Sequence, residues 1–235
     1  MNDSISARTQ LLLGEEGVDI LRKSTVVVAG AGAVGGYVIE GLVRAGVGHI
    51  RVVDGDIFST SNMNRQILAT LDTLGRNKAE VAVERALSIN PDIDIVAFDT
   101  IVSENTIPMI LKDVPDVIAD AIDTIAHKVA LLHYAAKNNI VTFSSMGAAL
   151  HMDPTSLRIA TLKHTKVCPL AQSVRSRLRD MDTTNITCVY SEERPLVKPN
   201  ARDDNGKSIL GSLPTIPALF GMTLANEIIL HLVRK

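Results

Sequence analysis

Two cationic side chains and two amides lie within one short stretch of this chain, at Asn62, Arg65, Gln66 and Lys78. The guanidinium of Arg65 can bind two phosphate oxygens and offset charge that develops in a transition state. Lys78 supplies a point charge for a phosphate, and the two amides can orient the same oxygens. This combination favours cleavage of a polyphosphate over hydride transfer. The alternative is an ordinary solvated Arg and Lys, the usual location of single basic residues.

A glycine-rich turn precedes this stretch. Gly30, Gly32 and Gly35 fit the pattern G-x-G-x-x-G between an apolar run at 25–29 and a helical pattern at 33–45. Glycines at a strand-to-helix turn let the backbone approach a phosphate, and the helix N-terminus favours its negative charge. The pattern predicts a nucleotide-binding turn, with a tight turn that holds no ligand as the alternative.

Two carboxylates follow the predicted second strand at 49–53. Asp54 ends that strand, where a carboxylate can accept hydrogen bonds from ribose hydroxyls. A turn or cap aspartate is the alternative at Asp54. Asp56 is a second candidate for nucleotide binding, and a simple turn role is equally compatible with its position.

Two more carboxylates, Asp120 and Asp123, follow the predicted fourth strand at 116–119. Ligands of open parallel sheets bind outside the carboxyl ends of the strands. Mg²⁺ usually takes few protein carboxylates together with phosphate oxygens, so Asp123 is a candidate ligand for an ATP-bound Mg²⁺. The alternative is that Asp123 caps the helix that opens at Ile125.

Strand and helix patterns alternate along the chain, which predicts an α/β, Rossmann-like fold with a mostly parallel sheet, helices on both faces and a smaller C-terminal extension of strands and helices. Strands are predicted at 25–29, 49–53, 93–98, 116–119, 140–144, 157–161 and 186–190. Helices are predicted at 33–45, 77–90, 104–111, 125–138, 169–179 and 213–234. We expect a single domain that consists of a helical arm (1–24), a nucleotide-binding core (25–147) and a region for substrate and dimer contacts (148–235) with a mobile polar loop at 194–207.

The composition indicates a globular protein without a general attraction for nucleic acids. Hydrophobic residues make up 46% and charged residues 21%, which excludes a disordered or fibrous chain. With 24 Lys+Arg against 26 Asp+Glu the net charge is -2, so any RNA contact has to be local. Aromatic residues are only 3%, which leaves little material for a base-stacking platform.

The two cysteines, Cys168 and Cys188, do not form a C-x-x-C pair, which excludes a four-thiolate zinc site within one chain. No disulfide framework is expected either, so a reducing cytoplasm is the simplest location. The N-terminal residues lack the apolar core of a signal peptide. Polar residues interrupt the last helix, which favours a buried helix over a membrane span. We expect a cytoplasmic protein that binds no zinc and no membrane.

Cys168 precedes Pro169 at a predicted helix start, with basic residues upstream, an environment that favours a thiolate. It is a candidate nucleophile, although an incidental small residue is the simpler interpretation. The same region holds a concentration of basic residues that suits either a solvated face or a local patch for an RNA backbone. Its members are Lys163, Lys166, Arg175, Arg177 and Arg179.

In this order, the motifs resemble the ThiF/MoeB/HesA superfamily of ATP-dependent adenylating enzymes, whose fold is that of the ubiquitin-activating enzymes. Within it the chain is most similar to the tRNA threonylcarbamoyladenosine dehydratases of the TcdA type. The similarity covers nearly the whole chain and rests on residues 8–15 (RTQLLLGE), the glycine turn, and residues 60–66 (TSNMNRQ), 75–78 (GRNK), 120–124 (DAIDT), 145–147 (SMG), 153–155 (DPT) and 166–171 (KVCPLA). Singly these motifs are common, whereas jointly they are specific.

The resemblance implies roles for individual residues. Asp54 would bind the ATP ribose, Asp123 would hold the Mg²⁺, and Arg8 would reach across a homodimer into the ATP site of the partner subunit. The side chains that would hold the phosphates are Asn62, Arg65 and Lys78. Members that serve sulfur carriers usually hold zinc through two C-x-x-C pairs, which this sequence lacks.

The leading hypothesis is therefore adenylation of the threonylcarbamoyl carboxylate on a tRNA adenosine, followed by cyclisation with loss of AMP. A second hypothesis keeps adenylation but takes the C-terminal glycine of a ubiquitin-like sulfur carrier as acceptor, with a thioester at Cys168. A third, from another class, is an NAD-dependent oxidoreductase or a nucleotide-binding sensor. A sulfurtransferase or a ubiquitin-like protein as a further partner is left open by the sequence.

Overall fold

The computed structural model describes residues 4–194, 201–202 and 208–234. Seven strands form one sheet and two short strands form a separate ladder. The strands of the large sheet are β1 (Thr25–Ala29), β2 (His49–Val53), β3 (Asp94–Phe98), β4 (Val117–Asp120), β5 (Thr142–Ser145), β6 (Leu157–Thr161) and β7 (Ile186–Ser191). The ladder consists of β8 (Ala201–Arg202) and β9 (Ser208–Ile209).

The sheet has the strand order β3-β2-β1-β4-β5-β7-β6, and every neighbouring pair is parallel except β6 with β7. The chain leaves β1 to build one side of the sheet and returns to β4 on the other, so the strand order reverses between β1 and β4. In that register Ala29 pairs with Val53 on one side and with Asp120 on the other. The segments after β1, β2 and β4 therefore leave the sheet at one edge, where ligands of such folds bind.

Seven helices accompany the sheet in the described part of the chain. They are α1 (Ala7–Lys23), α2 (Gly35–Ala45), α3 (Lys78–Ile89), α4 (Ile107–Ile110), α5 (Ile125–Lys137), α6 (Pro169–Arg177) and α7 (Thr215–Val233). Alternate residues of β1 face opposite sides of the sheet, since Val26 and Val28 pack with α2, α3 and α7, whereas Val27 and Ala29 pack with α4 and α5. Both faces of the sheet are thus covered, as expected for an all-apolar parallel strand.

The last helix, α7, is long and apolar enough to cross a membrane by length and composition alone. Its side chains Phe220, Leu224 and Ile228 are buried in the core, and the helix packs closely on α2. A Cβ on Gly221 would lie 2.6 Å from the Cβ of Tyr37, so a glycine permits this approach. Burial against the sheet accounts for the apolar face of α7 that these residues form.

The predicted α/β architecture is confirmed, and several element boundaries differ from the sequence-based prediction. The helix predicted at 33–45 begins at Gly35 because residues 31–34 form the glycine turn, and the helix predicted at 104–111 is confined to Ile107–Ile110. Its start is delayed by a turn in which Thr106 Oγ1 accepts from the backbone N–H of Ser103 at 2.9 Å. The strand predicted at 140–144 is Thr142–Ser145.

The predicted organisation into 1–24, 25–147 and 148–235 stays a prediction. The C-terminal region contributes β7 and β6 to the same sheet, and α1 packs against α7. Of the loop predicted at 194–207, the residues 195–200 and 203–207 lie outside the described residues, and Ala201–Arg202 pairs with Ser208–Ile209.

Candidate nucleotide-binding site

The three glycines of the turn differ in what surrounds them. Gly30 has φ +94°, and a Cβ there would lie 2.8 Å from the carbonyl oxygen of Ala121. A Cβ on Gly35 would lie 1.7 Å from the carbonyl oxygen of Gly30. The nearest atom to a Cβ on Gly32 is Nε2 of Gln66 at 3.8 Å. Gly30 and Gly35 are thus required by the packing of the chain on itself, and Gly32 is the position open to a phosphate.

Asp54 connects the glycine turn to the loop after β2. Its Oδ2 accepts from the backbone N–H of Ala31 at 2.7 Å, and its Oδ1 accepts from the N–H of Asp56 at 2.9 Å. Burial raises the pKa of the Asp54 carboxyl, an effect that these hydrogen bonds and the charge of Lys78 oppose. Each carboxylate oxygen retains further acceptor capacity, so Asp54 can still bind two ribose hydroxyls.

Lys78 is the first residue of α3 and is held beside the same loop. Its Nζ lies 2.9 Å from Oδ2 of Asp56, and its side chain is 8% exposed whereas that of Asp56 is 70% exposed. The helix start is fixed by Asn77, whose side chain accepts from the N–H of Glu80 and donates to the carbonyl of Asp54. The cap places the ammonium next to Asp54 and Asp56, at the edge that carries the glycine turn.

Arg65 lies in a loop that its own polar residues organise. Its Nη1 donates to the carbonyl of Ser61 and to Oδ1 of Asn64, both at 2.8 Å. Oδ1 of Asn62 accepts from the N–H of Ser59 at 3.0 Å, so the carbonyl of Asn62 stabilises the loop and its amide group remains as the possible phosphate donor. Asn64 in turn donates to the carbonyl of Ser212 at 3.0 Å, which joins the loop to the segment before α7.

Gln66 is 7% exposed, and its Oε1 is buried without a hydrogen-bond partner in the described residues. Its amide lies over Gly32, the open position of the turn. A buried acceptor without a donor is costly, and a nucleotide group that donates a hydrogen bond to Oε1 would relieve this cost, whereas a phosphate oxygen would not. This geometry supports the choice of Gln66 as a nucleotide-contacting residue.

The two aspartates after β4 have different environments. Asp120 is fully buried, and its Oδ2 lies 2.6 Å from Nζ of Lys128, which is also fully buried. Asp123 is exposed at the carboxyl edge of the sheet, and its Oδ1 accepts from Oγ1 of Thr124 at 3.1 Å. The N-cap position of α5 is occupied by Thr124, one residue after Asp123. Of the two carboxylates, Asp123 is the one placed to reach a metal ion bound by a ligand.

Arg8 and Cys168 belong to other elements, the start of α1 and the N-cap of α6. Arg8 is exposed in the first turn of α1. Cys168 is 2% exposed and packs beside Gly147 and Leu170, and burial raises the pKa of the second thiol, Cys188. A buried Cys168 is a poor candidate for a nucleophile in this conformation.

Lys128 and Ser144 were missed by the sequence analysis. Ser144 donates through Oγ to Oδ2 of Asp120 at 2.6 Å, on the same oxygen that Lys128 contacts. The sequence held one signal for Lys128. It precedes Leu131, Leu132 and Ala135 by three, four and seven residues, so it shares a helix face that is otherwise apolar and buried.

A sequence model of the ThiF family matches residues 6–235. The chain belongs to the ThiF family. The match confirms the superfamily that the motifs indicated, and it favours adenylation over the oxidoreductase and sensor hypotheses.

Relatives within the ThiF family agree with the narrower resemblance. The chain is 33% identical to a tRNA threonylcarbamoyladenosine dehydratase of Bacillus subtilis, over 97% of this chain and 94% of that protein. A solved structure of the Escherichia coli tRNA N6-threonylcarbamoyladenosine dehydratase in complex with ATP superposes with a TM-score of 0.88, at 30% identity, over 97% of this chain and 93% of that one. A sulfur carrier protein adenylyltransferase of Thermus thermophilus is 40% identical, but over only 47% of this chain and 41% of that protein.

Proposed function

We propose that this chain catalyses the ATP-dependent dehydration of threonylcarbamoyladenosine in tRNA to its cyclic form. The observation that supports it most strongly is the similarity to dehydratases of this class along nearly the full length of both chains. Similarity to the sulfur carrier adenylyltransferase covers less than half of either chain. Both classes of relative adenylate their substrates. We assign the acceptor of the dehydratases, because these relatives match this chain along nearly the full length of both chains.

ATP would bind along the edge where β1, β2 and β4 end. Asp54 would accept the ribose hydroxyls, and the open face of Gly32 would receive the phosphates at the start of α2, where a helix N-terminus favours negative charge. Lys78 would exchange its exposed counterion Asp56 for a phosphate oxygen. Arg65 would offset the charge of the departing pyrophosphate.

The reaction would proceed in two steps. A carboxylate oxygen of the threonylcarbamoyl group attacks the α-phosphorus, the bond from the α-phosphorus to the bridging oxygen breaks, and pyrophosphate leaves with that oxygen. An atom of the same tethered group then attacks the acyl carbon and loses its proton, and AMP leaves with the former carboxylate oxygen. The substrate has lost the elements of one water, and the tether makes the second step effectively unimolecular.

The residues present fit a Mg²⁺ ion that arrives with ATP. Of the two aspartates after β4, Asp120 is engaged by Lys128 and Ser144, so Asp123 is the one that would hold the ion. The described ranges contain no group of three His, Cys, Asp or Glu side chains suited to a metal ion, so phosphate oxygens and water would supply the other ligands. When bound, the metal supplies Lewis-acid stabilisation of the phosphate charge. The absence of zinc stays a prediction.

A homodimer would complete the site. Arg8 lies on the first part of α1, before a break at Gly14 (φ 75°), and this part exposes Leu11 and Leu12, which are 65% and 84% accessible. An apolar, exposed helical arm is suited to pack on a second copy and to carry Arg8 to the phosphates of the partner. A cytoplasmic location also stays a prediction, and it rests on the cysteine content.

The proposal is tested by incubating purified protein with ATP, Mg²⁺ and tRNA that contains threonylcarbamoyladenosine, and analysing the nucleosides by mass spectrometry under conditions that preserve the cyclic form. We expect a nucleoside lighter by one water and stoichiometric AMP. The Lys78→Met variant, in which this activity should be strongly reduced, serves as the control. If the wild-type protein leaves the tRNA unchanged and catalyses pyrophosphate exchange that depends on a ubiquitin-like carrier, the second hypothesis is supported and the dehydratase proposal is contradicted.

A further inference from the structure

A fully buried ion pair lies at the end of β4, beside the nucleotide site. The ammonium of Lys128, on α5, lies 2.6 Å from Oδ2 of Asp120, and both side chains are inaccessible to solvent. Ser144 Oγ on β5 donates to the same oxygen, and Oδ1 accepts from the N–H of Ile122 at 3.1 Å. One carboxylate thus ties together two strand ends, a helix and the turn that follows β4.

Stability alone is a weak explanation for this lysine. Lys128 shares a helix face with Leu131, Leu132 and Ala135, all of which are fully buried. Burying an ion pair costs desolvation free energy, and well-packed apolar residues of similar volume often serve a core equally well or better. A charged pair retained here is therefore more useful for holding a defined geometry than for stability.

Residues 121–123, which follow Asp120, pack directly against the glycine turn. Ala121 donates its N–H to the carbonyl of Ala29 at 2.8 Å. Its carbonyl oxygen is the atom that a Cβ on Gly30 would meet at 2.8 Å, and its own Cβ lies 3.3 Å from the corresponding position on Gly35. A shift of residues 121–123 would therefore displace the glycine turn and move Asp123 as well.

The charge of Lys128 is a second reason to connect this residue with nucleotide binding. With Lys128 present, the cluster behind the turn has no net charge. Without it, an unpaired carboxylate buried at Asp120 would repel a triphosphate at the neighbouring turn, and low-dielectric surroundings would screen this repulsion poorly.

We propose that Lys128 is a positioning residue for nucleotide binding, which neutralises and orients Asp120 and so keeps the turn 121–123 in the conformation that receives ATP. The inference rests on the proposed ATP site and is independent of the acceptor. It can therefore be tested by binding measurements without tRNA, which fail or succeed separately from the dehydratase assay.

The test is calorimetric titration of a non-hydrolysable ATP analogue with Mg²⁺ into wild-type and Lys128→Met protein. We expect the variant to bind about tenfold more weakly or worse, a change equal to the loss of one well-placed charged interaction. The matched control is Arg85→Met, which removes a cation from another buried carboxylate, Glu40, at a distance of 2.8 Å. We expect Arg85→Met to lower the melting temperature while binding the analogue with wild-type affinity. Equal affinities of the two variants would overturn the proposal.

The double variant Asp120→Asn with Lys128→Met separates charge from packing. It leaves no buried charge, and the amide oxygen of Asn can still accept from Ser144 or Ile122, so we expect affinity within about threefold of wild type. Affinity as low as in Lys128→Met alone would contradict the neutralising role. If Lys128→Met does not fold, Lys128→Gln, which keeps a donor near Asp120 but removes the positive charge, replaces it. Weaker analogue binding by Lys128→Gln supports the proposal, and unchanged binding overturns it.

Discussion

Lys78 and Asp56 form an asymmetric ion pair, with a buried ammonium and an exposed carboxylate 2.9 Å apart. The packing around the buried side chain fixes the position of the ammonium, whereas the exposed carboxylate is free to rotate into water. A phosphate that approaches Lys78 therefore displaces Asp56 and inherits a fixed cation. The pair is a preformed phosphate contact that carries a removable counterion.

The first prediction follows from this asymmetry. Lys78→Met should reduce kcat/KM for AMP formation by about a hundredfold, the usual magnitude when one electrostatic contact to a reacting group is removed. Asp56→Asn, the matched change on the other partner, should leave kcat unchanged and hold or lower KM for ATP, since the competing carboxylate is gone. Both are measured by pyrophosphate release. A hundredfold loss in Asp56→Asn would show that Asp56 itself contacts the nucleotide.

The second prediction concerns pH. Burial raises the pKa of Asp54 from the ordinary value of 3.8, so its ionised form is less favourable in the folded than in the unfolded chain. Its contribution to folding stability is therefore fully present below about pH 3.8 and is lost as pH rises through the raised pKa.

An Asp54→Asn variant lacks this pH-dependent contribution. Relative to wild type, its melting temperature should increase as the pH is raised from about 3.5 to about 6, whereas its affinity for ATP should fall because the amide presents one acceptor instead of two. Thermal denaturation across this range checks the first part, and titration with ATP checks the second. A stability difference that is constant with pH would contradict the raised pKa.

The sequence was sufficient for the fold because its local patterns agree with one another. Apolar runs such as 25–29 end in glycine or aspartate and are followed by helical periodicity, which dictates a parallel sheet. The boundaries were less accurate, since the start of α2 is decided by the glycine turn and that of α4 by a side-chain hydrogen bond of Thr106. These are interactions of individual atoms that periodicity does not encode.

The site was only partly visible for a similar reason. Arg65 and Lys78 attract attention because their charges are unusual beside a glycine turn. Lys128 does not, because it lies in a helix at a spacing from Asp120 that has no standard pattern, and only the pairing of β4 with β5 brings Ser144 to the same oxygen. Long-range strand pairing, which the sequence does not display, assembles that cluster.

The third prediction separates catalysis from loop structure at Arg65. Arg65→Lys keeps the charge but cannot donate to Ser61 and Asn64 while also binding a phosphate through a planar fork. We expect a lower kcat with little change in the KM for ATP, because the interaction strengthens as pyrophosphate departs. Asn64→Ala, which removes the loop contact to Ser212, should mainly affect the melting temperature. Steady-state kinetics and thermal denaturation of both variants check this. A lower kcat in Asn64→Ala, with only a lower melting temperature in Arg65→Lys, would contradict the prediction.

The fourth prediction concerns Cys168, which is 2% exposed. Cys168→Ala should retain dehydratase activity within about twofold and lose a modest amount of stability, about 1 kcal/mol, as expected for removal of a small buried group. Adenylation followed by internal cyclisation requires no enzyme thiol. An inactive but folded Cys168→Ala protein would instead favour the thioester route of the ubiquitin-like acceptor, and mass spectrometry of the intact protein would then detect the adduct on the wild type.

The fifth prediction addresses the proposed dimer through complementation. Homodimers of Arg8→Ala and of Lys78→Met should both have little activity, because each site lacks one of its three cations, which are Arg65, Lys78 and Arg8. In a mixed dimer, the site on the Arg8→Ala subunit has its own Lys78 and receives Arg8 from the partner, whereas the other site lacks both. Random reassociation of equal amounts makes half of the dimers mixed, with one working site of two, so about a quarter of wild-type activity should return. The control mixes Lys78→Met with Arg65→Ala: both substitutions then disable the subunit's own site, and no activity should return. Absence of recovery in the first mixture, with exchange of subunits verified by native mass spectrometry, would place Arg8 outside the active site of the partner.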